Sequence, residues 1–259
     1  MVYLYNLNPV FLTLGPLQIR YYGLFYVLGL FITYYYLKYQ IKQKKLNITT
    51  DDLLDLITYI ALGVIIGGRL FYIFVYNFTY YTAHPLSIFA VWEGGMAFHG
   101  ALLGIIFAAF YFCRKKKIHF YTIADHLVVP ASLALAIGRI GNFINGELYG
   151  RPVNANFPFA VDFGDGIPRH PSQLYESAKN LIIFSTLLSI KNKAFKQGTS
   201  FWLFITMYGM LRFIIEFFRQ PDPQLGFIFL GLTMGQLLTM VMFVVGGIML
   251  YRINITKKS

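Results

Sequence analysis

A set of ionisable side chains falls inside otherwise apolar runs of this sequence: Arg69, His99, Asp125, His126, Arg139, Glu176, Lys179, Arg212 and Glu216. Charge placed in a bilayer is costly, so such residues mark function unless they pair. Arg212 and Glu216 are four residues apart and share a helix face, with Tyr208 one turn back. Arg139 and Asn142 are three apart, among Gly138, Gly141, Gly146 and Gly150. Arg69 and Tyr72, also three apart, could line one cavity. A guanidinium offers planar donors that match phosphate oxygens, and the phosphate of a bilayer is a phospholipid head group. His99, between Phe98 and Gly100, is the best proton acceptor of the set, since imidazole titrates at about 6.5. These residues point to an enzyme or binder of an anionic lipid.

Plainer readings stand beside this one. An internal ion pair accounts for Arg212 and Glu216 taken alone. Packing through small residues accounts for Gly138 and Gly141, but not for an arginine between them. Asp125 and His126 are adjacent and point apart on a helix, and His84 and His119 read as surface. No Cys/His cluster offers a zinc site, no phosphate loop ends in Gly-Lys-Ser/Thr, and no Gly-x-Ser-x-Gly elbow occurs, so neither a metal nor a cofactor is implied. A lipid transporter would be expected to show internal repeats, and none is visible. An intramembrane protease would need a serine or an aspartate pair in the spans.

The elements that must carry these residues are membrane helices. The chain has 259 residues, of which 57% are hydrophobic and 13% charged, against about 25% charged in a soluble domain. Runs long enough to span a bilayer are expected at Tyr22–Leu37, Leu53–Tyr76 (with Asp51 and Asp52 as caps), Met96–Phe112, Tyr121–Ile144, Leu174–Ile190, Thr199–Phe218 and Phe227–Tyr251. The fold class is therefore all-α, a polytopic bundle of about seven transmembrane helices forming a single domain over 1–259. The net charge of +11 is not a nucleic-acid signature. Lys38, Lys42, Lys44, Lys45, then Arg114–Lys117, then Lys191, Lys193, Lys196, then Arg252, Lys257 and Lys258 fall after alternate spans, whereas the opposite side holds Arg20, Arg151, Arg169 and Arg219. By the positive-inside rule the N-terminus is outside and the C-terminus cytoplasmic. Cys113 then lies at the reducing cytoplasmic edge, and the longest polar stretch, 145–171, forms an ordered extracytoplasmic cap. The first positive charge is Arg20, so no signal peptide is expected and the N-terminus should be retained.

The run Gly138-Arg139-Ile140-Gly141-Asn142-Phe143-Ile144-Asn145-Gly146-Glu147-Leu148-Tyr149-Gly150 closely resembles the signature of the prolipoprotein diacylglyceryl transferases. Further matching pieces are Arg20-Tyr21-Tyr22-Gly23, Gly67-Gly68-Arg69, Gly94 to Gly100, Arg169 to Glu176 and Arg212 to Asp222, in family order along nearly the whole chain. The resemblance implies an enzyme of the bacterial cytoplasmic membrane, its active site toward the extracytoplasmic leaflet. It would move the diacylglyceryl group of phosphatidylglycerol to the lipobox cysteine of a prolipoprotein and release glycerol phosphate. By the same resemblance Arg139 would bind the lipid phosphate, Arg212 would be the second essential arginine and His99 the candidate base. Asn142, Glu147, Gly150, Tyr22 and Glu216 fall at positions important in the family. Arg69, Tyr72, Tyr208 and His170 complete the expected substrate-binding set. The partners implied are phosphatidylglycerol, lipobox peptides and membrane lipid, with no nucleic acid.

Overall fold

The computed structural model describes residues 2–15, 17–193, 195–221 and 226–255. Strand β1 (Tyr3–Leu4) and the hairpin of β2 (Val10–Leu14) and β3 (Leu17–Arg20) lead into α1 (Tyr21–Lys42). There follow α2 (Thr50–Phe71), a π-helical turn (Tyr72–Tyr76), the short α3 (Phe78–Ala83), two 3-10 turns (Pro85–Phe89 and Val91–Glu93), α4 (Phe98–Lys116) and α5 (Phe120–Ile144). The chain continues through β4 (Val161–Asp162), β5 (Pro168–Arg169), α6 (Ser172–Ile190), α7 (Thr199–Glu216), β6 (Phe227–Phe229), β7 (Leu232–Thr233) and α8 (Met234–Ile255).

The protein is mostly helical. Among the described residues seven helices have at least 18 residues. Among the described residues three stretches, Thr50–Tyr76, Phe120–Ile144 and Met234–Asn254, combine the length and apolarity needed to cross a membrane. Two expectations need correcting. The architecture is mostly rather than purely helical, because among the described residues three small sheets accompany the helices. The last helix starts at Met234 rather than Phe227, because Gly226 and Gly231 adopt positive φ and turn 227–233 into a hairpin. Thr233 then opens α8: its hydroxyl accepts from the Gln236 N–H at 3.2 Å, and the Gln236 side chain accepts from the Thr233 N–H at 3.0 Å.

The chain resolves into two compact units, one of residues 33–126 and one of 1–32 with 127–259. In the first, α2 and α4 meet through paired glycines four residues apart, Gly63 and Gly67 against Gly100 and Gly104. A Cβ on Gly63 would stand 2.5 Å from the Gly104 carbonyl oxygen, and one on Gly67 would strike that of Gly100. This is backbone-to-backbone packing of the kind small residues permit in membrane helices. Thr49, not Asp51, caps α2, with Asp52 closing a capping box. Lys116 at the end of α4 pairs with Asp52 at 2.6 Å and Asp55 at 3.0 Å.

In the second unit α7 packs on α8 at Gly209, where a Cβ would lie 2.6 Å from the Phe243 nitrogen. The first part of α1 meets α5 at Gly141, beside Phe25 and Tyr22. The segment 145–171 is ordered by β4, which pairs with both β1 and β5. Phe163 from this segment packs on Tyr5, Phe143 and Tyr149. Arg169 grips Asp165 through Nε at 2.9 Å and Nη2 at 2.6 Å.

Candidate active site

Four elements of the second unit deliver charge to one buried place. Helix α5 brings Arg139 and Asn142, α6 brings Glu176 and Lys179, α7 brings Tyr208, Arg212 and Glu216, and β7, just before α8, brings Thr233. Glu176 is 2% exposed and sits between three cations. Its Oε2 accepts from Lys179 Nζ at 2.8 Å, and Arg139 Nε approaches the same oxygen no closer than 3.7 Å. Arg212 Nε lies 2.9 Å from Oε1, an ion-pair contact off the line of a hydrogen bond. Arg212 also pairs with Glu216, one helical turn on. Glu216 Oε1 accepts from the Thr233 hydroxyl at 2.9 Å. Lys179 Nζ sits 3.7 Å from the centre of the Tyr208 ring. Three cations face two carboxylates in this cluster.

Arg139 also leads outward. Its Nη1 donates to Asn142 Oδ1 at 3.3 Å, and Asn142 Nδ2 donates to Glu147 Oε1 at 2.7 Å. The Glu147 carbonyl accepts from the Gln173 side chain at 2.7 Å, which ties the loop after α5 to the start of α6. The signature run is thus a relay from a buried guanidinium to an exposed carboxylate. Tyr22 neighbours Arg139 and bonds the Tyr26 hydroxyl at 2.9 Å. Gly150 is required by close approach: its N–H donates to the His170 carbonyl at 2.8 Å, and a Cβ would meet the His170 and Phe218 carbonyl oxygens at 2.5 and 2.6 Å. His170 packs against Phe157 and Phe218 and lies 3.1 Å from the Tyr175 hydroxyl. Burial lowers its pKa, so the ring is neutral at pH 7.

The residues expected on α2 and α4 lie in the other unit. Arg69 is 4% exposed, and all five of its donors go to backbone carbonyls: Nε to Ile88, Nη1 to Gly94 and Gly95, Nη2 to Ser87 and Ala90. These bonds tie the end of α2 to the loop that follows it. Gly95, at φ +71°, fits there because a Cβ would stand 2.6 Å from Arg69 Nη1. Tyr72 stacks on Tyr76 and meets Tyr81 edge-on. His99 is exposed in the first turn of α4, with its ring 6.1 Å from that of Phe71.

Three contributors were not given a role from sequence. Glu176 and Lys179 were visible as buried charges three residues apart, yet their joint position between the arginines was not. Thr233 was signalled by the Thr-x-x-Gln pattern of a helix start. Gln173, Glu176, Ser177 and Asn180 form a buried polar stripe along α6 at helical spacing.

The fold and this cluster define a helical membrane protein with a buried, cation-rich site built from adjacent helices. A family model described as prolipoprotein diacylglyceryl transferase matches residues 9–252. Curated proteins named phosphatidylglycerol–prolipoprotein diacylglyceryl transferase are similar over nearly their full length. That of Geobacter sulfurreducens is 48% identical over 242 residues, covering 93% of each chain. That of Desulfotalea psychrophila is 46% identical over 247 residues, with 93% of this chain and 91% of the relative covered. That of Rickettsia akari is 44% identical over 253 residues, with 96% and 98% covered. The chain belongs to the prolipoprotein diacylglyceryl transferase family.

Proposed function

We propose that this protein transfers the diacylglyceryl group of phosphatidylglycerol to the lipobox cysteine of prolipoproteins, the first step of lipoprotein maturation. The observation that carries the reading is the surplus of buried cation around Glu176, where Arg139 is not in hydrogen-bond contact with the carboxylate. A phosphodiester between Arg139 and Arg212 supplies the missing anion.

The lipid phosphate lies against Arg139 and Arg212. Glu216 orients Arg212, while Asn142 and Glu147 orient Arg139. Tyr22, Tyr208 and the Gly150–His170 corner complete the walls. The acceptor thiol comes from the second substrate, and its pKa of about 8.5 leaves few thiolates at neutral pH. His99 takes the thiol proton, directly or through water. The thiolate attacks the glycerol carbon that bears the phosphoester, a carbon–sulfur bond forms, and the carbon–oxygen bond breaks. Glycerol phosphate departs with the electron pair, its growing charge stabilised by the guanidinium groups in a dry site.

The alternation of basic segments supports seven spans in the bacterial cytoplasmic membrane, with the N-terminus outside, the C-terminus in the cytoplasm, and 145–171 as an extracytoplasmic cap. The test is direct. Purified protein is incubated with phosphatidylglycerol and a lipobox peptide, and the peptide is weighed by mass spectrometry. A diacylglyceryl adduct together with released glycerol phosphate is expected. An unmodified peptide in the presence of both substrates overturns the reading.

A further inference from the structure

We infer that Lys179 is a positioning residue that keeps Arg139 available to the lipid phosphate by occupying the carboxylate oxygen Arg139 would otherwise bind. The inference rests on the phosphatidylglycerol reading above and concerns a residue with no assigned role in it.

The geometry is a competition for one atom. Glu176 Oε2 accepts from Lys179 at 2.8 Å, and Arg139 Nε waits 3.7 Å from that same oxygen, beyond hydrogen-bond distance. Oε1 is already faced by Arg212. The Lys179 side chain is 1% exposed, and the Tyr208 ring lies under its ammonium, so it cannot exchange Glu176 for water. Without Lys179 the carboxylate keeps Arg212 beside Oε1, but Oε2 loses its hydrogen-bond donor, and an unsatisfied buried acceptor is costly. Without Lys179 the nearest candidate is Arg139, which needs to move by less than an ångström to close the bond.

The consequence is specific. An Arg139 bonded to Glu176 has to be pulled away whenever lipid binds, so the lipid binds more weakly. Once bound, the lipid meets the same contacts as before, so the chemical step is unchanged. Loss of Lys179 therefore raises Kd and KM while leaving kcat alone, unlike loss of Arg139 itself. Removing the Glu176 charge as well takes away the competitor and restores binding.

The experiment compares wild type, Lys179→Arg, Lys179→Met, Glu176→Gln and the double variant Glu176→Gln/Lys179→Met in detergent. It measures Kd for radiolabelled phosphatidylglycerol, and KM and kcat for transfer to a lipobox peptide. Lys179→Met is expected to raise Kd and KM about tenfold with kcat within about threefold. Lys179→Arg should stay within about threefold of wild type in Kd, and the double variant should bind more tightly than Lys179→Met. Unchanged binding in Lys179→Met, or a double variant no tighter than the single one, overturns the inference. If Lys179→Met does not accumulate, the double variant is compared with Glu176→Gln alone: equal Kd supports the inference, since with the competitor gone Lys179 no longer matters, and weaker binding in the double variant ends it. A wild type that binds phosphatidylglycerol but transfers nothing ends the transferase reading, while the Kd series still judges Lys179. A wild type that does not bind this lipid overturns both.

Discussion

Arg69 and Arg212 are both buried arginines on long helices, and they are held in opposite ways. Arg69 gives every donor to backbone carbonyls between Ser87 and Ala90 and at Gly94 and Gly95. Arg212 faces two carboxylates, Glu176 and Glu216, in a cluster that also holds Lys179 and Arg139. Carbonyl dipoles solvate a guanidinium completely and fix a loop in one shape. Carboxylates balance charge, and where cations outnumber them an anion is still wanted. The same residue type is therefore bound to loop carbonyls in one unit and set among side-chain charges in the other, and the partner atoms, not burial, tell them apart.

The largest effect expected tests the binding side of that contrast. Arg139→Ala should lower the transfer rate about a hundred- to a thousandfold, the usual result of removing one donor from developing charge. Thermal unfolding in detergent should change little, since Arg139 stands 3.7 Å from Glu176 and Lys179 and Arg212 still face that carboxylate in the variant. Equal losses of activity and stability would make Arg139 a second clamp and erase the distinction. On the structural side, Gly104→Val drives a side chain into the Gly63 backbone and should destabilise the unit by about 1–3 kcal/mol or more. Chemical denaturation checks it, and wild-type stability would mean that α2 and α4 do not meet through glycine.

Arg69→Gln is the sharper comparison, with a smaller effect. It leaves several carbonyls of the 87–95 segment without their donor, at about 1–3 kcal/mol for an unsatisfied buried group. Limited proteolysis in that segment should accelerate, while Kd for phosphatidylglycerol stays within about threefold, because Arg69 has no donor left for the lipid. A large rise in Kd with an intact loop would instead place Arg69 on the substrate.

Much of this was legible because bilayer helices need long apolar runs, and because charge inside such runs is rare enough to notice. The fifth run, Leu174–Ile190, differs from α6 by two residues at its start and none at its end. Helix ends were less legible where a turn intervened. Phe227–Leu232 is as apolar as a span, and the positive φ of Gly226, Leu230 and Gly231 and the Thr233–Gln236 capping pattern separate hairpin from helix. The β2–β3 hairpin escaped for a similar reason, although Leu12, Leu14, Leu17 and Ile19 alternate with Thr13 and Gln18 in the manner of strands. In the site, spacing along one helix found Arg212 with Glu216 and Arg139 with Asn142. It could not find Glu176 as the hub, because a pairing of α6 with α5 and α7 is a fact of tertiary packing. For Arg69, sequence reported a buried charge and nothing of the carbonyls that a loop of two glycines folds around it.

The smallest effect concerns a third kind of arginine, buried like the other two but paired with a carboxylate that solvent reaches. Arg169 forks onto Asp165, whose side chain is 36% exposed, and stacks over Tyr149. The hydrogen bonds from Arg169 hold the Asp165 carboxyl below the usual carboxylate range. A carboxyl whose folded pKa is depressed adds stability above its unfolded value of about 3.9, and that stability is lost as pH falls toward the folded value. Asp165→Asn should therefore destabilise the protein by less than about 1 kcal/mol at pH 7, since solvent screens the pair. The gap between wild type and variant should close as the pH is lowered below about 4. Melting curves at pH 7, 5 and 3, taken as differences between the two proteins, check it. A gap that does not narrow at all between pH 5 and pH 3 would mean that Asp165 acts through its hydrogen bonds to the loop backbone rather than its charge. A gap of several kcal/mol at pH 7 would put Arg169 with the buried cluster instead of between the two extremes.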